Sequence, residues 1–374
     1  MPPDSSSPSA LRRRILWFLT VVLAILLGGN ALVCATGNFF WKLPFMPAWV
    51  AASFVLTLTF VGASIMGRFH AGPGLNLAYR VAAIWLGLLN YLLFASLAAW
   101  LLYYVTPLAP PLIGIICFGA AVSITLYGLV NAAVLRVTRL TVRLAHLPAA
   151  WNGRTVALVT DMHLGNIRGA AFTRRVVETI RPLGAEAIFI SGDMFDGPEA
   201  DFPALVEPWK TITGATKTFF VTGNHEEFTD RTRFIKAVET TGIRVLNNEK
   251  VEWDGLQIVG IHDEELHDPE IFRALLSEVK LDRGRAGILL AHQPKYLRVP
   301  AEAGIGLMLC GHTHGGQYWP WTIVARRVHK RFNHGLQPFE VMQVFTSYGA
   351  GTWGAPLRVG TKPEITLIRL EPVA

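Results

Sequence analysis

The spacing of polar residues divides the chain in two. Up to Leu135 it is written in long apolar runs: Ile15–Thr36, about Pro47–Met66, Val81–Val105 and Leu112–Leu135. Each is long enough to cross a bilayer as a helix, which takes about 20 apolar residues. Between Arg80 and Arg136 there is no Asp, Glu, Lys, Arg or His. Soluble core helices do not run so far without charge, so the pattern predicts four transmembrane helices over 12–135, after a Pro- and Ser-rich tail, 1–11, expected to be disordered. From Val137 the period changes to short strands and helices. Strands are expected at Val137–Ala145, Val156–Thr160, Ala187–Ser191, Thr218–Val221, Gly287–Ala291, Leu307–Cys310, Val341–Thr346 and Glu364–Leu370, and Val251–Ile258 reads as a hairpin turning at Asp254-Gly255. Helices are expected near Ala171–Arg181, Pro203–Thr211, Thr232–Thr241 and Pro269–Val279. Residues 136–374 therefore form a mixed α/β layered domain.

Composition sharpens the division. The 374 residues are 51% hydrophobic and 16% charged, against roughly 25% charge in ordinary soluble chains. The deficit lies in the first third, where Asp4, Arg12, Arg13, Arg14, Lys42, Arg68 and Arg80 are the only charged residues before Arg136. A cleaved signal peptide at the first run is the weaker reading, because three further runs remain. One set of loops holds Arg12, Arg13, Arg14, Arg68, Arg80, Arg136, Arg139 and Arg143; the other holds Lys42 alone. Positive loops stay inside, so the N-terminus and the domain after Leu135 are expected in the cytoplasm. Trp49, Trp100, Tyr103 and Tyr104 are expected in the outer aromatic belt. Asn30, Asn90 and Asn131 read as hydrogen-bonding glue between helices rather than a transport path, since no intramembrane acid or base accompanies them. Cys34, Cys117 and Cys310 are too scattered for a disulfide framework. The net charge of +7 suits anionic lipid or a phosphate substrate and does not by itself argue for nucleic acid.

The chemistry sits where apolar strands end. Val156–Val159 runs into Thr160, Asp161, Met162 and His163. Residues two apart in an extended chain point the same way, so Asp161 and His163 aim together from the carboxyl end of a strand. Four more strands end alike: Ser191-Gly192-Asp193 with Asp196 beyond, Thr222-Gly223-Asn224-His225-Glu226, Ala291-His292-Gln293-Pro294, and Cys310-Gly311-His312-Thr313-His314. A small residue before each polar cluster lets the backbone turn and approach closely. One histidine alone is more often structural; five such strand ends in one domain point to a metal site.

The set D-x-H, G-D-x-x-D, G-N-H-E, A-H-Q-P and G-H-T-H resembles the calcineurin-like metallophosphoesterase family over about residues 137–374. Gly315-Gly316-Gln317 and Gly351-Thr352-Trp353-Gly354 resemble its membrane-associated bacterial branch. The resemblance implies a two-sheet β-sandwich flanked by helices. It implies two divalent metals, one held by Asp161, His163, Asp193 and His314, the other by Asp193, Asn224, His292 and His312. His225 would be the catalytic histidine, with Asp196 orienting it. Mixed carboxylate, imidazole and amide donors suit Mn, Fe or Zn better than Mg or Ca. A metal-activated hydroxide would then attack phosphorus while His225 protonates the leaving oxygen.

The expected activity is hydrolysis of a phosphomono- or phosphodiester at the membrane, with a lipid or lipid-linked substrate favoured by location. A phosphodiesterase for soluble nucleotides and a catalytically idle membrane scaffold or sensor are the alternatives; no nucleic-acid partner is expected. His262 and His267 are candidates to extend the site, against a solvated loop. Trp319, Trp321, Arg326, Arg327, Lys330, Arg331 and His334 read equally as a lipid- or phosphate-facing surface and as a charged insertion. His70 and His146 read as residues outside the catalytic core.

Overall fold

A computed structural model describes residues 8–42, 46–66, 72–197, 201–227 and 231–373. The chain forms two compact units, 1–65 with 77–127, and 66–76 with 128–374. Four apolar helices dominate the first: α1 (Pro8–Trp41), α2 (Met46–Met66), α3 (Pro73–Val105) and α4 (Pro110–Ala133), the last two turns of α4 belonging to the second unit. All four are long and apolar enough to cross a membrane. The first helix begins at Pro8, inside the stretch expected to be disordered, and residues 1–7 of that stretch lie outside the described residues, as do Arg68 and His70.

Polar side chains fasten the apolar helices to one another. Asn30 Nδ2 donates to Thr57 Oγ1 at 2.8 Å, Trp85 Nε1 donates to the same hydroxyl at 3.3 Å, and Trp100 Nε1 donates to Thr36 Oγ1 at 3.1 Å. With no hydrophobic force between helices in lipid, such bonds and close packing hold them together. Trp100 also packs on Phe39 and Phe40, so it serves helix contact, whereas Trp49 and Tyr104 stay exposed. Asn131 departs from the expected role. Within the second unit its amide donates to the carbonyls of Arg358 and Thr361, at 2.8 and 2.9 Å, rather than to another apolar helix.

The second unit is built on two six-stranded sheets. The first orders Arg136–Leu144, Glu364–Pro372, Thr155–Val159, Ala187–Ser191, Lys217–Val221 and Arg244–Val245. The second orders Gly335–Phe339, Met342–Thr346, Leu307–Cys310, Gly287–Leu290, Leu256–Gly260 and Glu249–Trp253. Period-two alternation gives every central strand two buried faces. Val156, Leu158, Phe189, Phe219 and Val221 meet Ile258, Ile288, Leu290, Leu307 and Leu309 between the sheets. On the outer face of the first sheet, Val159, Ile190 and Phe220 meet the helical residues Val177, Trp209 and Phe234. On the outer face of the second, Val259, Leu289 and Met308 meet Phe272 and Leu276. Burying each large apolar side chain contributes roughly 1.5–3 kcal/mol. The fold is the expected sandwich flanked by helices.

The expected elements lie within a few residues of the observed ones. Glu249–Trp253 and Leu256–Gly260 form the hairpin, and Asp254 and Gly255 both take positive φ, 47° and 81°, as its two-residue turn demands. The helix expected at Pro203–Thr211 is broken into Phe202–Val206, Glu207–Trp209 and Lys210–Thr213, because Pro208 has no N–H to continue the ladder. The strand Gly335–Phe339 escapes the sequence pattern. It contains Pro338 and survives as an edge strand, where the missing donor faces outward.

Glu364 fastens one end of this sandwich. Its fully buried carboxylate accepts from Thr138 Oγ1 at 2.6 Å and Tyr348 N at 3.0 Å, with His334 Nε2 at 3.1 Å. Burial alone would raise its pKa, but the His334 and Thr138 bonds outweigh burial and hold it at about 2, against an ordinary 4.5. A depressed carboxyl pKa stabilises the fold above the unfolded value and is lost as pH falls through the folded one. The shift corresponds to on the order of 3 kcal/mol. Glu364→Gln should therefore cost stability at neutral pH, and the deficit should shrink as pH falls from about 4.5 to about 2. Thermal unfolding of the full chain in detergent across that range tests it, and a deficit constant with pH would refute the assignment.

Candidate metal centre

The two sheets deliver their polar strand ends to one place. Three neighbouring strands of the first sheet end in Thr160-Asp161-Met162-His163, Gly192-Asp193 and Gly223-Asn224-His225. Two neighbouring strands of the second end in Ala291-His292 and Gly311-His312-Thr313-His314. Three overlapping groups bring donor atoms within 4.8 Å of one another: Asp161, His163 and His314; His163, Asp193 and His225; Asp193, His292 and His312. Asn224 joins through its side-chain oxygen, 2.9 Å from His312 Nδ1. All of the residues singled out from the five strand ends are thus adjacent.

Their backbone is unusual. Asp161, His163, Asp193, His312 and His314 all take positive φ, between 48° and 70°. Each such residue costs on the order of 1 kcal/mol. Glycines allow the approach this requires. A Cβ on Gly223 would lie 2.2 Å from Asp193 Oδ1, and one on Gly311 would lie 2.2 Å from Asp161 Oδ2.

The hydrogen bonds show why these groups fit a cation. His292 Nδ1 lies 2.8 Å from the Ser191 carbonyl, which can only accept, so the ring proton sits on Nδ1. That leaves Nε2 facing Asp193 Oδ2 at 3.1 Å, and the pair lacks hydrogen-bond geometry. Two acceptors can share such a space only with a proton or a cation between them. His163 Nδ1 is buried with no hydrogen-bond partner, and its Nε2 faces His314 Nε2 at 3.0 Å. Burial, aided by the neighbouring His225, lowers the His163 pKa to about 3; burial, aided by His292, lowers that of His312 to about 3. Burial and Arg358 push His314 well down. Neutral imidazole is the form that binds metal. Burial also lifts Asp161 to about 6, against the pull of His292.

His225 differs from the other histidines. Its Nδ1 lies 3.2 Å from Asp196 Oδ1 and its Nε2 lies 4.0 Å from Asp193 Oδ2. Burial opposes its charge, yet the Asp196 hydrogen bond and the charges of Asp193, Asp196 and Glu226 lift its pKa to about 9. It lies beside a cluster of groups suited to cations. Trp353, well exposed, has its ring 6.3 Å from that of His225.

Two supporting residues escape the sequence reading. Glu226, fully buried, accepts from the N–H groups of Asp193, Phe195 and Gly223 at 3.0, 2.9 and 2.7 Å. It ties two strand ends together, and its only sequence signal is its place after Asn224-His225. Arg358 is fully buried and donates to the carbonyls of Tyr348 and Gly351 at 2.6 and 2.7 Å and to that of His314 at 3.1 Å. Its Nη2 also lies 3.1 Å from His314 Nδ1. A guanidinium only donates, so this nitrogen accepts, and a cation on His314 Nε2 would have to displace that bond. Nothing in the primary pattern marks Arg358, which lies 44 positions from His314. Gln317 explains the Gly-Gly-Gln signal: its amide bonds Trp353 O, Ala355 O and Trp353 N, seating the Gly351–Gly354 loop.

His262 and His267 do not extend the site. His262 is buried rather than solvated, with Nδ1 accepting from Thr222 N at 3.1 Å and Nε2 3.1 Å from Asn247 Oδ1. His267 is half exposed and lies 3.2 Å from the Glu264 carbonyl.

Residues 154–316 match the family model of the calcineurin-like phosphoesterases. The chain carries a domain of that family. A Helicobacter pylori metallophosphoesterase is 33% identical over 224 residues, 58% of this chain and 60% of that protein. A Danio rerio transmembrane protein with metallophosphoesterase domain is 30% identical over 270 residues, 66% of this chain and 60% of that protein. The Bacillus subtilis metallophosphoesterase YkuE is 25% identical, with 64% of this chain and 86% of that protein aligned. The chain spans about 60% of the length of the first two relatives.

The close approach of Gly223 gives a test of the centre. Gly223→Ala should displace the Asp193 carboxylate and reduce bound metal in elemental analysis of the purified full chain. Gly214→Ala, where an added Cβ meets nothing within 4 Å, is the control. Equal metal in the two variants would refute the placement of Asp193 at the centre.

Proposed function

We propose that the chain is a membrane-anchored, two-metal phosphoester hydrolase acting on a lipid or lipid-linked phosphoester. The observation that carries the reading is three overlapping, largely buried groups of carboxylates and imidazoles, donor atoms within 4.8 Å in each, edged by His225 paired with Asp196. Asp161, His163, Asp193 and His314 would hold one divalent ion, and Asp193, Asn224, His292 and His312 the other. Asp193 is the natural bridge because, of the two residues that belong to two of the three groups, it is the carboxylate, with two oxygens to offer. The donor set suits Mn, Fe or Zn. When bound, such ions lower the pKa of a water and neutralise phosphoryl oxygens. The rest falls to His225. Asp196 holds its Nδ1 proton, which fixes the tautomer and turns Nε2 toward the centre. From there Nε2–H delivers a proton to the leaving oxygen of the ester.

Location supports the lipid substrate. Four helices long and apolar enough to cross a bilayer tether the domain to it, and the excess of Arg in one set of loops supports a cytoplasmic orientation. A reporter fused after Ala374 should be active in the cytoplasm; activity only outside would overturn the orientation.

The chemistry is tested by separating metal binding from proton transfer. Asp193→Asn should lower occupancy of both positions and abolish turnover. His225→Ala should leave metal content intact and slow hydrolysis by roughly 10²–10⁴-fold. The loss should be greater for alkyl than for aryl esters, because an aryl oxide leaves without a proton. Equal losses on both, with metal intact, would remove the general-acid role. A wild-type chain with full metal and no hydrolysis of phospholipids, lipid-linked phosphates, cyclic nucleotides or aryl phosphates would overturn the reading.

A further inference from the structure

Directly after the last two histidines of the centre, the chain inserts the helix Trp321–His329. Its half-buried residues are Thr322, Ala325 and His329, which share one side at helical spacing. That side faces the domain, and the His329 ring lies 6.0 Å from the ring of His312. The helix start is held against the metal-site loop: Gly316, at φ 81°, leaves room for the Trp321 carbonyl, which a Cβ there would meet at 2.3 Å. An adjoining side, one residue step round the helix, carries Trp321, Val324 and Val328, spaced three and four apart, with Ile323 farther round. These are 50%, 47%, 66% and 44% exposed, and Trp319 just before them is 44% exposed. A soluble surface seldom gathers so many large apolar groups on nine residues without a partner.

Charge says what the partner is. No Asp or Glu occurs between Glu302 and Glu340, while Arg326, Arg327, Lys330 and Arg331 cluster on and just past the helix. None of these four has a carboxylate within ion-pair distance among the described residues. Apolar side chains, tryptophan and unpaired cations on one short helix are the composition of a segment that lies in a membrane interface. A second copy of the chain is a poor occupant, because a two-fold contact would set this cationic face against itself. The same chain carries four helices long and apolar enough to cross a bilayer.

We propose that the helix Trp321–His329 docks on anionic lipid, with Trp321, Val324 and Val328 in the boundary between headgroups and acyl chains and Arg326 and Arg327 on lipid phosphates. The docked helix brings His329, on its adjoining inner side, and the neighbouring His312 to the membrane surface. A substrate held in the membrane by its acyl chains can then present its phosphate to the centre without leaving the lipid. That consequence rests on the hydrolase reading; the docking itself does not, and its test does not use turnover.

The test places a nitroxide on Val328→Cys in the full chain, reconstituted in phosphatidylcholine vesicles with or without phosphatidylglycerol. The unsubstituted chain, treated alike, supplies the background from Cys34, Cys117 and Cys310. Glu278→Cys, exposed on another helix, is the aqueous control. With phosphatidylglycerol present, the label at 328 should become several-fold more accessible to oxygen than to a water-soluble nickel chelate. The label at 278 should not. Reversing Arg326→Glu with Arg327→Glu should return the 328 label to aqueous behaviour while its spectrum keeps helix-like mobility. Aqueous behaviour at 328 in anionic vesicles would overturn the proposal. So would dipolar broadening between labels, which would assign the face to a second copy.

Discussion

The centre of the second unit answers to one constraint, the burial of the Asp193 carboxylate. A carboxylate taken out of water is costly unless it is paired or strongly hydrogen-bonded. Here His225 N donates to one of its oxygens at 3.0 Å, and His292 faces the other at 3.1 Å. Its own backbone is fixed by Glu226, a second buried carboxylate. Burial would raise the Asp193 pKa, but His292, His225 and His163 hold it far down. The same field holds His292 far up against its own burial. A charge so placed asks for positive charge nearby, and the neighbouring groups are donor atoms turned toward a shared space.

That arrangement explains the division of labour in the fold. Five residues of the centre sit at positive φ, a conformation that local sequence does not favour. Their neighbours compensate through packing: the strands leading to them are fully buried on both faces. Each strained strand end therefore grows from a rigid, over-determined element, as a preorganised site requires. Glycine appears where two such ends must touch, as Gly223 does against Asp193 and Gly311 against Asp161.

Much of this was legible in the sequence. The long charge-free runs and the apolar strands are strong periodic signals, and Ala187–Ser191 and Leu307–Cys310 coincide with the observed strands residue for residue. The polar residues of the centre were legible because each follows a strand end, so their positions are set by local pattern. What escaped is held by long-range contact. Arg358 reaches His314 across 44 positions, and Asn131 reaches Arg358 across 227. Neither pairing leaves a periodic trace. Asn131 shows the limit well: an amide in an apolar run looks like a partner for another helix, and only the fold shows it capping the carbonyls of Arg358 and Thr361. His262 failed in the opposite sense, since a histidine after a strand resembles the ligand pattern but finds Thr222 and Asn247 instead.

For the proposed lipid hydrolase, an anchor of apolar helices changes the energetics of meeting a substrate even without touching it. A free enzyme meeting a membrane lipid must first lose translational freedom to reach the surface, a cost charged to every encounter. An anchored one has met it once, through its apolar helices, and afterwards samples its substrate at the effective concentration of the surface. The advantage applies only to substrates confined to that surface. A soluble nucleotide gains nothing from it, because its concentration near the bilayer equals that in bulk or is altered only by charge. Four helices of this length are therefore better matched to a lipid ester than to a diffusible one, and the same reasoning asks for a binding surface that meets the headgroups rather than bulk water.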